Sequence, residues 1–414
     1  MMQFILFEDP SHFDLLPLCY TRPVFDLRVG IDRLSEKWNR FLPSSPTQMA
    51  AGFLAARFSN FDPSKESIFL NGKFIPNESF VKGLLEACQP GHFVQNELGE
   101  ILAFSCHPSI LVDFDGIVTE EKLINYNLKP LPKLELDRPA VRFPWDIFKL
   151  NGATIREDVD HLMSTRSSVQ PNDRHSIIYG GDNLFMEPGV KMRAAIINAE
   201  DGPVYLGHGV QIQENAVIHG THAICESSTI SMGAKLRGDS TVGPHSKIGG
   251  EVGNSVIQGF SNKGHDGYLG NSVLGQWCNL GADTNTSNLK NNYTEVKIWN
   301  YKTERFAKTG SLFCGLIMGD HSKCGINTMF NTGTVVGVSA NVFGGGYQRN
   351  FIPSFTWGGT NNMSTFALKK SFGVAEAVMK RRNIEFDEAE KSIMTEVFEQ
   401  SKKYRTWDLN APKT

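Results

Sequence analysis

The side chains best suited by type to do chemistry gather around one stretch, Lys263-Gly264-His265-Asp266-Gly267-Tyr268, with Arg237 upstream and Asn279 and Asn288 downstream. An imidazole titrates near neutral pH, so His265 can take a proton as a bond forms. The planar fork of Arg237 suits a phosphate, and Lys263 adds a second cation. Asn279 and Asn288 can each donate and accept, and Tyr268 pairs a flat ring with a hydroxyl. Each also has a plain structural explanation: a loop histidine, an interface aromatic, a surface ion pair, a corner asparagine. His208, His219, His222 and His245 recur nearby, but no pair has metal-ligand spacing. They read as exposed corner residues, and no metal site is expected.

What must position these groups is a repeat. Leu206, Ile212, Ile218, Ile224, Ile230, Leu236, Val242 and Ile248 follow one another at intervals of six. A helix has a period of 3.6 and a strand a period of 2, so this is neither. Short parallel strands joined by tight turns fit, with three hexapeptides closing one triangular turn. Each inward aliphatic side chain then stacks on those one turn above and below, and several turns are needed to make a core. The phase begins at Leu184, slips near Gly249–Gly253, and returns at Leu274, Leu280, Met318, Cys324, Phe330, Val336 and Val342. The coil is therefore placed at residues 176–345. Two interruptions, 258–268 and about 284–314, are expected to project from it and carry binding.

Residues 1–150 read as an α/β domain, with strands at Phe4–Phe7 and Ile68–Leu70 and helices at Ile31–Phe41 and Ser79–Cys88. Phe143–Asn151 looks like the start of a connecting helix, and 151–175 is assigned as a linker. Residues 346–414 read as an exit loop and a helical segment with an apolar stripe at Ile393, Met394, Val397 and Phe398, suited to covering or lining the coil.

At 414 residues the chain is long enough for two or more domains. Hydrophobic residues make up 40% and charged residues 21%, as in soluble globular proteins. A net charge of -3 gives no general attraction to nucleic acid or membrane, so small-molecule partners are expected. There is no long apolar run for a spanning helix, and the start reads as a strand rather than a signal peptide. Seven scattered cysteines without a CxxC pair point away from zinc or disulfide frameworks and toward a reducing cytoplasm.

The run from Lys263 to Gly270, continued by Gly275-Gln276-Trp277-Cys278-Asn279-Leu280-Gly281-Ala282, resembles the bifunctional N-acetylglucosamine-1-phosphate uridyltransferase / glucosamine-1-phosphate N-acetyltransferase family. The chain looks closest to a divergent branch described as sugar nucleotidyltransferases. The resemblance implies a fold class: a reduced nucleotidyltransferase-like α/β domain, a left-handed parallel β-helix that trimerises, and a C-terminal helix. It implies that His265 is the acetyl-transfer base. Tyr268, Asn279 and Asn288 would contact the sugar, and Arg237 its phosphate. Lys263 would compensate for a sugar-site lysine that the resemblance implies is replaced near Gly253. Acetyl-CoA would be the co-substrate, on the way to UDP-N-acetylglucosamine.

The N-terminal domain matches that family less well. A pyrophosphorylase needs a Gly-rich phosphate loop after its first strand and a divalent metal held by carboxylates. Here the strand leads into Glu8-Asp9-Pro10-Ser11-His12-Phe13, with no glycine. Phe69-Leu70-Asn71-Gly72-Lys73 resembles a strand-end Asn-Gly-Asp, with Lys73 where the metal carboxylate would stand. Magnesium is thus expected only if this domain is active. Arg22 and Arg28 are the candidate nucleotide contacts. Three functions stay open on the sequence: an acetyl-CoA-dependent N-acetyltransferase on an amino-sugar phosphate such as glucosamine 1-phosphate, a sugar-1-phosphate nucleotidyltransferase, and a non-catalytic trimeric sugar-nucleotide-binding scaffold.

Overall fold

The computed structural model describes residues 2–111, 114–136, 138–360 and 362–409. They fall into two compact units: residues 1–15, 21–27 and 32–143 form the first, and 16–20, 28–31 and 144–414 the second.

The first unit is built on a six-stranded mixed sheet, in the order Thr47–Gln48, Gln3–Phe7, Ser67–Asn71, Ile101–Cys106, His92–Gln95, Lys129–Pro130. Gln3–Phe7 runs parallel to both neighbours, whereas Ile101–Cys106 is antiparallel to its own. Ser67–Asn71 is buried along its whole length, which is why it reads as an apolar run without alternation. Phe69 and Phe104 stack with ring centroids 4.3 Å apart, beside Ile5, Phe7 and Phe93. Leu34–Phe41 and Glu78–Ala87 are the expected helices, and Asn77 caps the second by accepting from the Phe80 amide.

The second unit is the coil. Ile212, Ile230 and Ile248 are stacked in register on one face, Leu206, Ile224 and Val242 on another, and Ile218 and Leu236 on the third. None is more than 1% exposed. Three hexapeptides therefore make one turn. Each aliphatic side chain contributes about 1.5–3 kcal/mol of burial only because its neighbours cover it. Corners at Asn215, Ser227 and His245 have positive φ, and Asn and Gly bear this at the least steric cost. The architecture is the one the resemblance implied, an α/β domain, a parallel β-helix and C-terminal helices, and left-handed winding stays what that resemblance implies.

The first face comprises Ile177–Tyr179, Ile196–Asn198, Val217–His219, Lys235–Arg237, Glu251–Gly253 and Tyr268–Gly270. The second runs over nine strands from Leu184–Met186 to Phe351–Ile352, and the third from Lys191–Met192 to Thr356–Gly358. The coil thus continues past residue 345, and the segment read as an exit loop supplies its last strands. Lys235 sits beside Glu251, where an unbroken period would bring residue 253; this shortened turn is the phase slip.

Residues 151–175 are not simply a linker. The helix Pro144–Thr165 runs through most of this stretch and lies on the second face, with Ile155, Val159 and Leu162 against Phe185, Tyr205 and Ala223. Asn151 ties it down, its side-chain oxygen accepting from the Thr241 hydroxyl at 3.0 Å and the Gly30 amide at 2.8 Å. The first interruption, 258–268, does not project: its strands stay on the faces, and only 264–267 departs as a corner. The second does project, as an antiparallel hairpin of Lys297–Asn300 and Arg305–Lys308, with Trp299 stacked 4.4 Å from Phe351. Toward the C-terminus come the helices Leu368–Lys380 and Glu388–Gln400 and the short helix Thr406–Leu409; Ile393, Met394 and Val397 are buried, and Phe398 meets Phe355 at 4.9 Å. His222 is a correction: it is fully buried at an inward position between Val204 and Ser240, not at an exposed corner. Among the described residues no helix is long and apolar enough to cross a membrane.

Candidate functional site

The corner 264–267 joins the third-face strand Asn262–Lys263 to the first-face strand Tyr268–Gly270. It stacks closely on the corner one turn earlier: a Cβ at Gly249 would fall 2.5 Å from the Gly264 carbonyl oxygen. Gly267 adopts φ of 113°, open to glycine but costly for other residues. His265 stands at the head of this corner with its side chain exposed.

On the first-face side lies a hollow of about 420 Å³, lined by Arg237, Gly253, Asn254, Tyr268, Asn271 and Asn288 among others. Three of the expected site residues therefore meet. The Asn288 amide donates to the Tyr268 hydroxyl at 3.0 Å and to the Asn271 side-chain oxygen at 2.8 Å. The Tyr268 ring folds over its own strand, and a Cβ at Gly270 would collide with its hydroxyl, which explains the glycine after Leu269. Arg237 is exposed and pairs with Glu251 at 2.5 Å. An exposed pair of this kind is weakly held, so the guanidinium is free to exchange partners.

On the third-face side lies a larger cavity of about 760 Å³, lined by His265, Asn279, Phe260 and Trp277 and by four cations, Lys247, Lys323, Arg381 and Arg382. His265 and Asn279 thus share one cavity, on the other side of the corner from the Tyr268 hollow. Phe260 stacks on Trp277 at 4.3 Å and His245 on Phe260 at 5.1 Å, forming a flat aromatic ladder down this edge. Burial lowers the Lys323 ammonium to a pKa of about 8, and its Nζ donates to the His321 carbonyl at 2.8 Å. The sequence reading missed all four cations. Lys247 and Lys323 each precede an inward residue, Ile248 and Cys324, so the repeat phase alone marks them as outward. Arg381 and Arg382 carry no such signal, because their approach depends on how the C-terminal helix packs.

Lys263 is a second correction. It is not in either hollow but 1% exposed, with its Nζ donating to backbone carbonyls of the coil.

Residues 4–167 match the family model described as sugar nucleotidyl transferase. A GlmU bifunctional protein from Methanocaldococcus jannaschii is 39% identical over 87 residues, 21% of this chain and 21% of that protein. A bifunctional sugar-1-phosphate nucleotidylyltransferase/acetyltransferase from Sulfurisphaera tokodaii is 31% identical over 223 residues, 48% of this chain and 55% of that protein. Over these stretches the chain is similar to these bifunctional proteins. It spans from about a fifth to just over half the length of these two curated relatives. The solved polySia-specific acetyltransferase NeuO overlaps 48% of this chain and 85% of its own at 15% identity, with a TM-score of 0.26, too low to carry an argument.

At the strand end where the resemblance would put a metal carboxylate, a lysine lies between two carboxylates. The Lys73 ammonium lies 2.7 Å from Asp9 Oδ2 and 2.8 Å from Glu100 Oε1, and Arg142 pairs with Glu100 at 2.6 Å. The carboxyl of Asp9 is held below its usual range: burial pushes it up, but Lys73 and hydrogen bonds from Ser11 and Asn71 prevail. Glu100 is lowered to about 2, with Arg142 and Lys73 overcoming burial. A divalent ion does not fit, because the carboxylates that would ligate it already face two fixed positive charges. Among the described residues no group of three or more His, Cys, Asp or Glu side chains is arranged to hold a metal. The two arginines put forward as nucleotide contacts are buried on protein partners. Arg22 pairs with Asp26 at 3.2 Å, and the Arg28 guanidinium donates to the Ile31 carbonyl while its backbone exchanges hydrogen bonds with Gln258.

Proposed function

We propose that the protein is an acetyl-CoA-dependent N-acetyltransferase acting on an amino-sugar phosphate such as glucosamine 1-phosphate. The observation that carries this reading is the position of His265, exposed at a corner with a polar hollow on one side and a cationic, aromatic-edged cavity on the other. Arg237 would hold the sugar phosphate, with Tyr268 and Asn288 against the sugar. The cavity would receive the acyl donor, its phosphates toward Lys247, Lys323, Arg381 and Arg382 and its adenine toward Phe260 and Trp277.

In this reaction the neutral sugar amine attacks the thioester carbonyl and forms the C–N bond. His265 takes the proton released by nitrogen. Collapse of the tetrahedral intermediate breaks the C–S bond, and the thiolate leaves and is protonated, giving the N-acetyl sugar phosphate and the free thiol. Backbone N–H groups and Asn279 are the donors available to the oxyanion. A homotrimer, as the resemblance implies, would close the grooves around these groups. The match over residues 4–167 favours a second reading for the first unit, retained binding of a sugar nucleotide.

The test is thiol release from acetyl-CoA with a panel of amino-sugar phosphates, comparing wild type with His265→Ala. Loss of about 10²–10⁴-fold in turnover is expected on removing a general base. Equal activity of the two proteins would show that His265 is not the base. Pyrophosphate release from UTP and a sugar phosphate, with no thiol release, would transfer the activity to the first unit.

A further inference from the structure

From Met192 through Ile212, Ile230 and Ile248 the third face turns one apolar side chain per turn into the coil, and Leu280, Cys324 and Val342 continue the series. The turn after Ile248 breaks it. Lys263 stands in register beside Ile248, 1% exposed, where an aliphatic residue would complete the stack. Burying an ammonium costs several kcal/mol unless its donors are used well. The Lys263 Nζ donates to the His265 carbonyl at 2.8 Å and to the Gly249 carbonyl at 3.1 Å. It therefore ties the corner that carries His265 to the corner of the turn before.

That corner has little stiffness of its own. Gly264 and Gly267 flank the His265–Asp266 pair, so the sequence itself restrains the corner little; its backbone packs closely on Gly249 and Gly250, and the Ser231 hydroxyl donates to the Gly264 carbonyl at 3.4 Å. Farther on, the corner is held by the Glu251 amide donating to the Gly267 carbonyl and the Asp283 amide to the Asp266 carbonyl, both at 3.1 Å. At the His265 carbonyl the hydrogen bond comes from the lysine. We propose that Lys263 is a positioning residue, a cation placed inside the coil to fix the backbone of His265 relative to the two hollows. The inference rests on the reading of His265 as the base, but its structural half stands apart from it. Burial lowers the ammonium to a pKa of about 8, with Asp266, Cys324 and Asp283 pulling the other way, so the position is electrostatically costly as well as unusual. A cost borne inside an otherwise apolar stack is what a functional constraint leaves behind.

The experiment compares wild type with Lys263→Met, which keeps an unbranched stem of similar length, and Lys263→Gln, which keeps a donor. Two readouts are taken on the full chain: thiol release at saturating acetyl-CoA, and amide exchange by mass spectrometry over 264–268. Lys263→Met is expected to fold, to lose about 10²-fold in kcat with KM for acetyl-CoA within a factor of two, and to exchange faster in the corner. Lys263→Gln is expected to recover part of both. Unchanged exchange in Lys263→Met would overturn the proposal, as would faster exchange with unchanged kcat. Failure of both variants to fold would overturn it too, since Lys263 would then be a requirement of the coil. If His265→Ala proves as active as wild type, the base reading falls, while the exchange result still reports whether Lys263 holds the corner.

Discussion

Substitution of Lys263 by methionine is expected to change how stability varies with pH, and the size of the change follows from its burial. Removal from water lowers the ammonium from the ordinary 10.5 to about 8, against the pull of Asp266, Cys324 and Asp283. At about 1.4 kcal/mol for each tenfold change in proton affinity, this amounts to about 3 kcal/mol while the group is charged. The unfolded chain keeps the proton up to about 10.5 and the folded chain releases it near 8. Between those values the unfolded state binds more protons, so the free energy of unfolding rises with pH. The cost is full below pH 8 and gone above 10.5. Methionine does not titrate, so the difference between the two proteins isolates this one group. Equilibrium urea unfolding at pH 7 and pH 9.5 is expected to show wild type gaining about 2 kcal/mol relative to Lys263→Met over that interval. A difference that stays constant, or that shifts toward the variant as pH rises, would refute the claim that a charged ammonium is buried at this position.

His222 provides the acid-side counterpart: burial lowers its pKa from 6.5 to about 4, so stability held above pH 6.5 is lost as pH falls toward 4, by about 3 kcal/mol in all. His222→Leu is expected to flatten that part of the acid unfolding profile, and an identical profile for both proteins would exclude a buried neutral imidazole. Arg381→Ala with Arg382→Ala is expected to raise KM for acetyl-CoA about tenfold while leaving acetyl-pantetheine unaffected, since the latter lacks the nucleotide phosphates. Equal effects on the two donors would remove the C-terminal arginines from the cavity's role. Titration of the full chain with Mn²⁺, followed by electron paramagnetic resonance, is expected to show no site that Asp9→Asn abolishes; such a site would mean that Lys73 does not displace a divalent ion from Asp9 and Glu100.

The coil was legible because its physics is periodic. Leu206 to Ile248 repeat at six because each must reach the interior of a three-sided turn, and no other regular backbone imposes that interval. The motif from Lys263 to Ala282 was legible as a constellation for the same reason: its residues sit at set places on successive strands and corners. Lys263 shows where that kind of legibility stops. As a cation beside His265 it reads like a substrate contact, and only the register with Ile248 shows that it points inward. His222 misled in the same way, as a polar residue at a position whose direction the pairing decides.

Sequence alone determined the type of backbone, the phase of the core and the corner where His265 stands, because those follow from local spacing. Tertiary structure decided which groups share a cavity. Arg237, Tyr268 and Asn288 meet on one side of the corner and His265, Asn279, Lys323, Arg381 and Arg382 on the other, across sequence gaps that no local period spans. It also decided that Lys73 lies between Asp9 and Glu100, since proximity in a folded chain is set by how strands and helices pack, and an ion pair's partners can come from anywhere along it.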